Sequence, residues 1–230
     1  MRPPLVHIRF YQAMSKMLAE TRQQPEALAR TLEEGIETLR DLRRRFERSR
    51  PRLVVLVARG TSDNAAQFGR YLIEITTRIP VSLAAPSILT LYESRLDLSD
   101  VLVVGISQSG ESTDTNAVLE DARLRGAFAV GITNEPGSAM ARVAECALLA
   151  RAGREESVAA TKTYTCQLLA LYLLACALGG EVSLDVLRCM PGWVDQVLQL
   201  EERVGEVAER YTFMTRAPMP KNFWALSIET

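Results

Sequence analysis

The sequence predicts an α/β fold in which a parallel β-sheet carries helices on both faces. Three observations support this fold class. Short, continuous apolar runs alternate along the chain with longer stretches of helical periodicity. The runs at residues 52–58 and 100–107 are rich in β-branched residues, as expected of strands buried on both faces. Clusters of small polar residues follow several of these strands, at the end where parallel sheets bind ligands.

The elements alternate from residue 26 to residue 209. Residues 26–47 have apolar side chains at helical spacing and no proline, which predicts the first helix. Strands are predicted at residues 52–58, 80–85, 100–107, 127–133 and, fifth, 145–151. Further helices are predicted at residues 65–75, 113–125, about 158–178 and 184–209. The helix that begins at residue 113 should end at Gly126, because glycine readily takes the left-handed conformation of a helix end.

Composition and charge exclude several classes of function. The 230 residues include 27 basic and 28 acidic side chains, so no net basic field exists to hold nucleic acid or an anionic membrane. The basic run at residues 40–50 is interrupted by acids, which predicts a solvated helix face. The apolar stretch at residues 168–180 is too short to span a bilayer.

Histidine and cysteine usage narrows the chemistry further. The single histidine is His7, so the body of the chain cannot assemble a histidine-based catalyst or metal site. The cysteines stand alone in the sequence, which predicts reduced core thiols in a cytoplasmic protein and neither a disulfide framework nor a metal site. These cysteines are Cys146, Cys166, Cys176 and Cys189.

The stretch GISQSGESTDT, residues 105–115, is the strongest candidate site. Small hydroxyl side chains at a helix N-terminus add hydrogen-bond donors to the open backbone N–H groups, and Gly110 lets the backbone approach a ligand. The predicted phosphate-binding residues are Ser107, Gln108, Ser109 and Ser112. The alternative is an ordinary N-cap at Ser112 with the other serines filling a loop, but four donors in six residues favour an anion site. Glu111 would have to point away from the anion or bind a cation.

Two further clusters are weaker candidates. After the first strand, Thr61 and Ser62 could bind sugar hydroxyls or phosphate, although helix capping, with Asp63 as the cap, explains this stretch about as well. Neither the dinucleotide-binding glycine pattern nor the P-loop occurs there. Before the long helix, Glu155 could act as an acid or base with Lys162 as its charge partner. The alternative, which the sequence favours slightly, is that Glu155 and Lys162 are both surface charges in the first turn of the helix.

Three stretches together resemble a known family: RGTSDNAAQFGRYLIE at residues 59–74, ISQSGESTDT at 106–115 and ESVAATKTYTCQLLAL at 156–171. They are similar to the sugar isomerase (SIS) domain, above all to the isomerase half of glucosamine-6-phosphate synthase and to the SIS-type glucosamine-6-phosphate deaminases. The residues M-L-x-E…Q-P at 17–25 fit as well, so the resemblance covers about residues 17–180. It implies a five-stranded parallel α/β/α sandwich that binds a phosphosugar, and no motif indicates a cofactor or a metal.

The resemblance also implies roles for individual residues. It assigns phosphate binding to residues 107–112, and it assigns contacts with the sugar or its phosphate to Thr61, Ser62, Val158 and Ala160. Ala160 stands where the synthases usually have serine, so one donor is lost.

The resemblance divides the chain into three parts. Residues 1–50 would form an N-terminal extension and helix, residues 51–182 the SIS domain, and residues 183–230 a linker helix with the incomplete start of a second SIS half. In the related enzymes that second half supplies a catalytic glutamate, in an A-L-K-x-K-E helix, and a histidine; residues 210–230 contain neither that motif nor a histidine. No glutaminase domain is expected. The chain would therefore be a truncated product, depend on a partner chain, or only bind.

Two functions remain open at this stage. One is aldose–ketose isomerisation in amino-sugar metabolism, with or without loss of ammonia, for which Glu155 is the one nameable base. The other is a non-catalytic phosphosugar-binding module. A single-SIS isomerase of the phosphoheptose or arabinose-phosphate kind is a narrower alternative that the C-terminal residues argue against. A homo-oligomer, most simply a dimer, is expected, with apolar residues at its interface or packed on the sheet: Val186, Val194, Val197 and Leu200.

Overall fold

The sheet contains five strands, and every pair is parallel. The computed structural model describes residues 16–210. The strands are β1 (Leu53–Ala58), β2 (Val81–Leu83), β3 (Val101–Ser107), β4 (Phe128–Thr133) and β5 (Cys146–Leu149), in the order β2-β1-β3-β4-β5. Every residue of β3 is buried, as its aliphatic sequence predicts for a central strand covered on both faces. The predicted α/β class and all five strands are confirmed.

Helices cover both faces of the sheet. They are α1 (Lys16–Arg22), α2 (Gln24–Arg48), α3 (Thr61–Thr77), α4 (Ser87–Thr90), α5 (Thr113–Leu124), α6 (Ala139–Val143), α7 (Lys162–Ala177), α8 (Leu184–Leu198) and α9 (Glu201–Arg210). Helices α2, α3 and α7 pack together on one face, with α8 against α2, whereas α5 and α6 pack on the other. The larger core lies on the α2 and α7 side, where α7 is buried along nearly its whole length.

Strand order places one crevice where ligands commonly bind. The chain leaves β1 toward β2 on one side, and it leaves β3 toward β4 on the other. The following helices, α3 and α5, therefore lie on opposite faces, and their N-termini flank the gap above β1 and β3. Such a switch point is the usual ligand site of open parallel sheets. In register, Ala58 pairs with Ile106 and Ser107 with Thr133, so the loops after β1, β3 and β4 meet at this edge.

Some predicted elements differ from the structure. The helix predicted from about residue 158 begins at Lys162, because the Glu155 carboxylate accepts the N–H groups of Thr161 and Lys162 and fixes the helix start there. The helix predicted over residues 184–209 is divided into α8 and α9 at residues 199–200. Helices α1, α4 and α6 were not predicted, since each is too short to show a period. His7 and the segment 211–230 lie outside the described residues.

The cysteines and the apolar helix can now be placed. Burial raises the pKa of Cys146, Cys166 and Cys176 to about 11, which keeps these thiols protonated. Cys189 is exposed on α8, so its prediction as a core thiol is wrong. No helix within residues 16–210 is long and apolar enough to cross a membrane.

Candidate functional site

The loop after β3, residues 107–112, is fixed by close contacts with itself and with β4, and we call it the serine loop. Gly110 has φ +67°, and a Cβ there would lie 2.5 Å from Ser138 Cβ and 2.7 Å from Thr133 Oγ1. The Gly110 N–H donates to Ser107 Oγ at 3.1 Å, and Asn116 Nδ2 donates to the Gly110 carbonyl at 3.0 Å. Both the backbone conformation and the lack of space require glycine here, so Gly110 sets the path of the loop.

The N-terminus of α5 is open at the end of this loop. Ser112 occupies the N-cap position, but its side chain makes no capping bond, and its Oγ lies 3.0 Å from Thr115 Oγ1. The first helical bond runs from the Asn116 N–H to the Ser112 carbonyl, so the first-turn N–H groups before it have no backbone acceptor in the described chain. Ser112 is therefore the N-cap residue by its backbone position, but its side chain does not cap the helix, and an anion would find unpaired donors here.

The remaining side chains of the serine loop are partly available to a ligand. Ser109 is exposed, and its Oγ accepts one long bond, 3.3 Å, from the Glu111 N–H. Its own hydroxyl hydrogen can still be donated. Gln108 is half-buried; its carbonyl accepts the Asn134 N–H at 3.0 Å, and its side-chain amide has no partner within residues 16–210. Ser107 is buried and already accepts a bond, so it contributes more to the loop than to its surface.

Glu111 does not obstruct the loop. Its carboxylate accepts the N–H of Ala139, the first residue of α6, at 2.9 Å. The side chain therefore points toward the loop after β4. Of the two possibilities left by the sequence, the structure shows the first.

The turn after β1 contributes differently from the expectation. Thr61 is exposed at the start of α3, but Ser62 is buried and its Oγ accepts a bond from Gln167 Nε2 at 3.1 Å. No side chain caps α3, so Asp63 is not the cap. Arg59 Nη2 lies 2.6 Å from Asp114 Oδ2 in the first turn of α5, which joins the turn after β1 to the serine loop.

The chain between β5 and α7, residues 150–161, borders the crevice beside the serine loop and the turn after β1, and we call it the β5–α7 segment. Asn134, directly after β4, holds it: Asn134 Oδ1 accepts the Ala152 N–H at 2.8 Å, and Nδ2 donates to the Gly153 carbonyl at 2.9 Å. Since the Asn134 N–H also donates to Gln108, this one residue connects the segment to the serine loop. Val158 is fully exposed at the tip of the segment, and Ala160 is half-buried.

Glu155 and Lys162 are both engaged in structure. The carboxylate of Glu155 accepts the Thr161 N–H at 2.7 Å and the Lys162 N–H at 2.9 Å, together with the hydroxyls of Thr161 and Thr163. Desolvation acts to raise the pKa of Glu155, but these hydrogen bonds outweigh it and the pKa is lowered. Lys162 is 4% exposed, so the expectation of a surface charge is wrong for it.

A mostly apolar cavity lies away from this edge. It has a volume of about 470 Å³ and lies on the α5 face under residues 84–98. Aliphatic side chains of β1 and β3 line it, including Leu53, Val55 and Val103. Its lining is mostly aliphatic, in contrast to the polar edge above β1 and β3.

The structure thus brings together residues that the sequence named and residues that it did not. Ser109, Ser112 and Thr61 lie on the loops that flank the crevice. Asn134, directly after β4, is one of the residues that were not singled out from the sequence. Its position directly after a strand end was the available signal.

Comparison with known proteins agrees with this geometry. The SIS domain pattern matches residues 49–177. A glutamine–fructose-6-phosphate aminotransferase (isomerizing) from Aquifex aeolicus is 38% identical over 210 residues, which are 85% of this chain and 33% of that protein. The chain therefore spans about a third of the curated relatives that it matches.

Solved structures show the same fold. A crystal structure from Silicibacter pomeroyi DSS-3, assigned as a phosphosugar isomerase, has a TM-score of 0.75 and 32% identity, covering 78% of this chain and 55% of that one. The C-terminal domain of glucosamine-fructose-6-phosphate aminotransferase from Francisella tularensis has a TM-score of 0.69 and 24% identity, covering 87% of this chain and 60% of that one. The second comparison shows the fold alone.

Proposed function

The chain belongs to the SIS domain family, and we propose that its serine loop binds the phosphate of an amino-sugar phosphate or of fructose 6-phosphate. The observation that carries this proposal is the uncapped N-terminus of α5 at the β1/β3 switch point. Phosphate would accept the open N–H groups and the hydroxyls of Ser109 and Ser112. The name of the Aquifex aeolicus relative supports the choice of sugar.

The other residues of the site have parts in the same proposal. Thr61 would bind the sugar phosphate from the opposite side of the crevice, while Ser62 would act through its bond to Gln167. Val158 and Ala160 would close over the sugar. Residues 51–182 would form the phosphosugar-binding unit, and residues 183–230 a linker toward a second SIS half. Free buried thiols support a cytoplasmic location.

Calorimetric titration of the full chain with glucosamine 6-phosphate tests the proposal. We expect saturable heat, none with unphosphorylated glucosamine, and about tenfold weaker binding in Ser109→Ala, because one charge-assisted hydrogen bond is lost. Ser49→Ala is the matched control, since Ser49 is exposed at the end of α2. Equal affinity for glucosamine, or no effect of Ser109→Ala, would contradict the proposed site.

One observation favours binding without turnover by these residues. Aldose–ketose isomerisation moves a proton between adjacent carbons and needs a base whose pKa is near the working pH. Glu155 was the candidate, but its carboxylate caps α7 and its pKa is lowered. A second candidate function is therefore a non-catalytic phosphosugar-binding module. Incubation with fructose 6-phosphate and ammonia, or with glucosamine 6-phosphate, distinguishes the two, since only an enzyme interconverts them.

We also propose that a second copy of the chain covers an apolar stripe on α8 and α9. The stripe repeats every four and three residues, the spacing at which two helices pack as a coiled coil. Its members are Val186, Met190, Trp193, Val197, Leu200, Val204 and Val207, and all but the half-buried Met190 are exposed. Of the residues expected at an interface or on the sheet, Val194 packs against the core.

The best partner for this stripe is the same stripe on a second copy of the chain. No other helix within residues 16–210 exposes more than two large apolar side chains, so the α8–α9 stripe has no comparable partner on the same molecule. Glu201, beside Leu200, is paired with Arg22 of its own chain at 2.7 Å, so its charge need not repel a second copy. Sedimentation should give a dimer for the chain and for Tyr71→Lys, an exposed control, but a monomer for Val197→Lys. A monomeric parent chain would contradict this interface.

A further inference from the structure

Helix α1 is hydrogen-bonded to the β5–α7 segment through the buried carboxylate of Glu20. Glu20 is 6% exposed, and its two oxygens accept the Glu156 N–H at 2.5 Å, the Ser157 N–H at 3.1 Å and the Ser157 hydroxyl. None of these donors belongs to its own helix. Lys16, one turn earlier, lies 2.6 Å from the Glu156 carboxylate. The N-terminal helix therefore contacts a segment that is 136 residues away in sequence.

A second buried charged group, the ammonium of Lys162, also connects the N-terminal part of the chain to this segment. The Lys162 ammonium donates to Gln23 Oε1 at 2.7 Å and to the Arg154 carbonyl at 2.6 Å. No carboxylate oxygen lies within 4.0 Å of it in residues 16–210, so both acceptors are neutral. A buried ammonium must be hydrogen-bonded, so Gln23 and Arg154 are held in place by it.

Within its outer half the segment is tied to itself by the Glu155 carboxylate, which accepts the Thr161 N–H, and Glu20 ties it to α1. Between β5 and α7 there is no helix or strand, and the apolar side chain at its tip, Val158, is fully exposed. Asn134 holds the inner half, at Ala152 and Gly153. Residues 156 and 157 depend on Glu20, and Val158 follows directly. The position of Val158 and Ala160 therefore depends on two carboxylates, that of Glu155 within the segment and that of Glu20 on α1.

We propose that Glu20 is a positioning residue for the sugar-binding part of the site. This inference rests on the proposed function, in which Val158 and Ala160 close over the sugar while the serine loop holds the phosphate. Glu20 acts through the backbone of residues 156–157 and does not touch the ligand. Within residues 16–210, the hydrogen-bond partners of the serine loop include Thr133, Asn134, Asn116 and Ala139, none of which lies on α1. Loss of Glu20 should therefore weaken sugar recognition and spare phosphate binding.

The test is to titrate the full chain and Glu20→Gln separately with glucosamine 6-phosphate and with inorganic phosphate. Glutamine keeps the size of the side chain, but its amide group presents N–H donors to the N–H groups of the segment. We expect about tenfold weaker binding of glucosamine 6-phosphate, as for a lost charge-assisted hydrogen bond, and unchanged binding of phosphate. Glu37→Gln, exposed on α2, is the matched control and should bind both ligands normally. Glu20→Asp, which keeps the charge, should recover part of the affinity.

Hydrogen exchange supplies a readout that does not depend on a ligand. The amides of Glu156 and Ser157 should exchange at least about tenfold faster in Glu20→Gln, with α2 unchanged. Unchanged protection there, or an equal loss of affinity for both ligands, would overturn the positioning role. A parent chain that binds neither ligand would instead overturn the proposed function, so the two failures are distinguishable.

Discussion

The serine loop and the β5–α7 segment border the same crevice, but they are stabilised by contacts of different range. Ser107 bonds to Gly110 three residues away, Asn116 to Gly110 over six, and Thr133 to Gln108 over 25. The β5–α7 segment is held by Asn134 over 18 and 19 residues, but also from Glu20, 136 residues away, and from Thr31, 119 residues away. The first region forms together with β3 and β4, whereas the second needs the N-terminal helices in place.

This difference separates two tasks within one site. A phosphate gives the same charge and shape in every sugar phosphate, so a stiff, locally determined loop suits it. The sugar is the part that differs between ligands, and it would meet a segment whose position depends on distant helices. Recognition of phosphate and recognition of the sugar should therefore respond to different mutations.

The largest effect on stability should come from Gly110→Ala, which alters the backbone of the serine loop. A methyl group there would meet Ser138 and Thr133 at less than 3 Å while the backbone stays at φ +67°. Left-handed strain and overpacking together should lower the free energy of unfolding by about 3 kcal/mol. Chemical denaturation measures this loss, and phosphate binding should disappear with it.

Gly137→Ala is the matched control. Gly137 lies in the neighbouring loop after β4, and nothing lies within 4 Å of the position of its Cβ. It should keep both stability and phosphate binding. If Gly110→Ala behaves like this control, the serine loop is less rigid than its contacts indicate.

The same division explains what the sequence could predict. The strands, the switch point and the serine loop depend on short-range patterns, since aliphatic runs and a glycine among hydroxyl residues are visible within a dozen positions. Ser109 and Ser112 were predicted as phosphate-binding residues in this way. The start of α7 was misplaced by four residues because its determinant, the carboxylate of Glu155, lies outside the helical period.

Long-range polar contacts were not predictable. Nothing in residues 16–22 indicates that Glu20 is buried against residues 156–157, because a glutamate on a short helix is usually exposed. The burial of Lys162 and the hydrogen bond between Ser62 and Gln167 were unpredictable for the same reason. Each depends on which helices become neighbours, and periodicity does not specify that.

A smaller effect, confined to the β5–α7 segment, is expected from Glu155→Gln. Its carboxylate stabilises the start of α7, so the free energy of unfolding at pH 7 should fall by about 1.5 kcal/mol. The lowered pKa of Glu155 means that this contribution is present above the carboxyl pKa of the unfolded chain and is lost as the pH falls through the folded value. The difference between parent and variant should therefore shrink in acid, below about pH 4.3.

Denaturant melts at pH 7 and under acidic conditions check this sign. Glu33→Gln, exposed on α2, should differ little from the parent at either pH. A gap between parent and Glu155→Gln that stays constant with pH would mean that the charge of Glu155 contributes nothing.

The smallest effect should come from Asp114→Asn, which changes the charge beside the serine loop without changing its shape. Asp114 and Arg59 form an exposed pair 2.6 Å apart, and such pairs contribute about 1 kcal/mol or less to stability. Removal of the carboxylate takes a negative charge from the first turn of α5 and frees Arg59, and both changes favour an anion. Phosphate affinity should rise about twofold at low salt, and the gain should vanish at high salt.

Asp41→Asn, which breaks a comparable exposed pair with Arg44 on α2, is the control and should leave binding unchanged. A weaker affinity in Asp114→Asn would mean that the pair with Arg59 shapes the crevice, and the turn after β1 would then belong with the regions that depend on distant contacts.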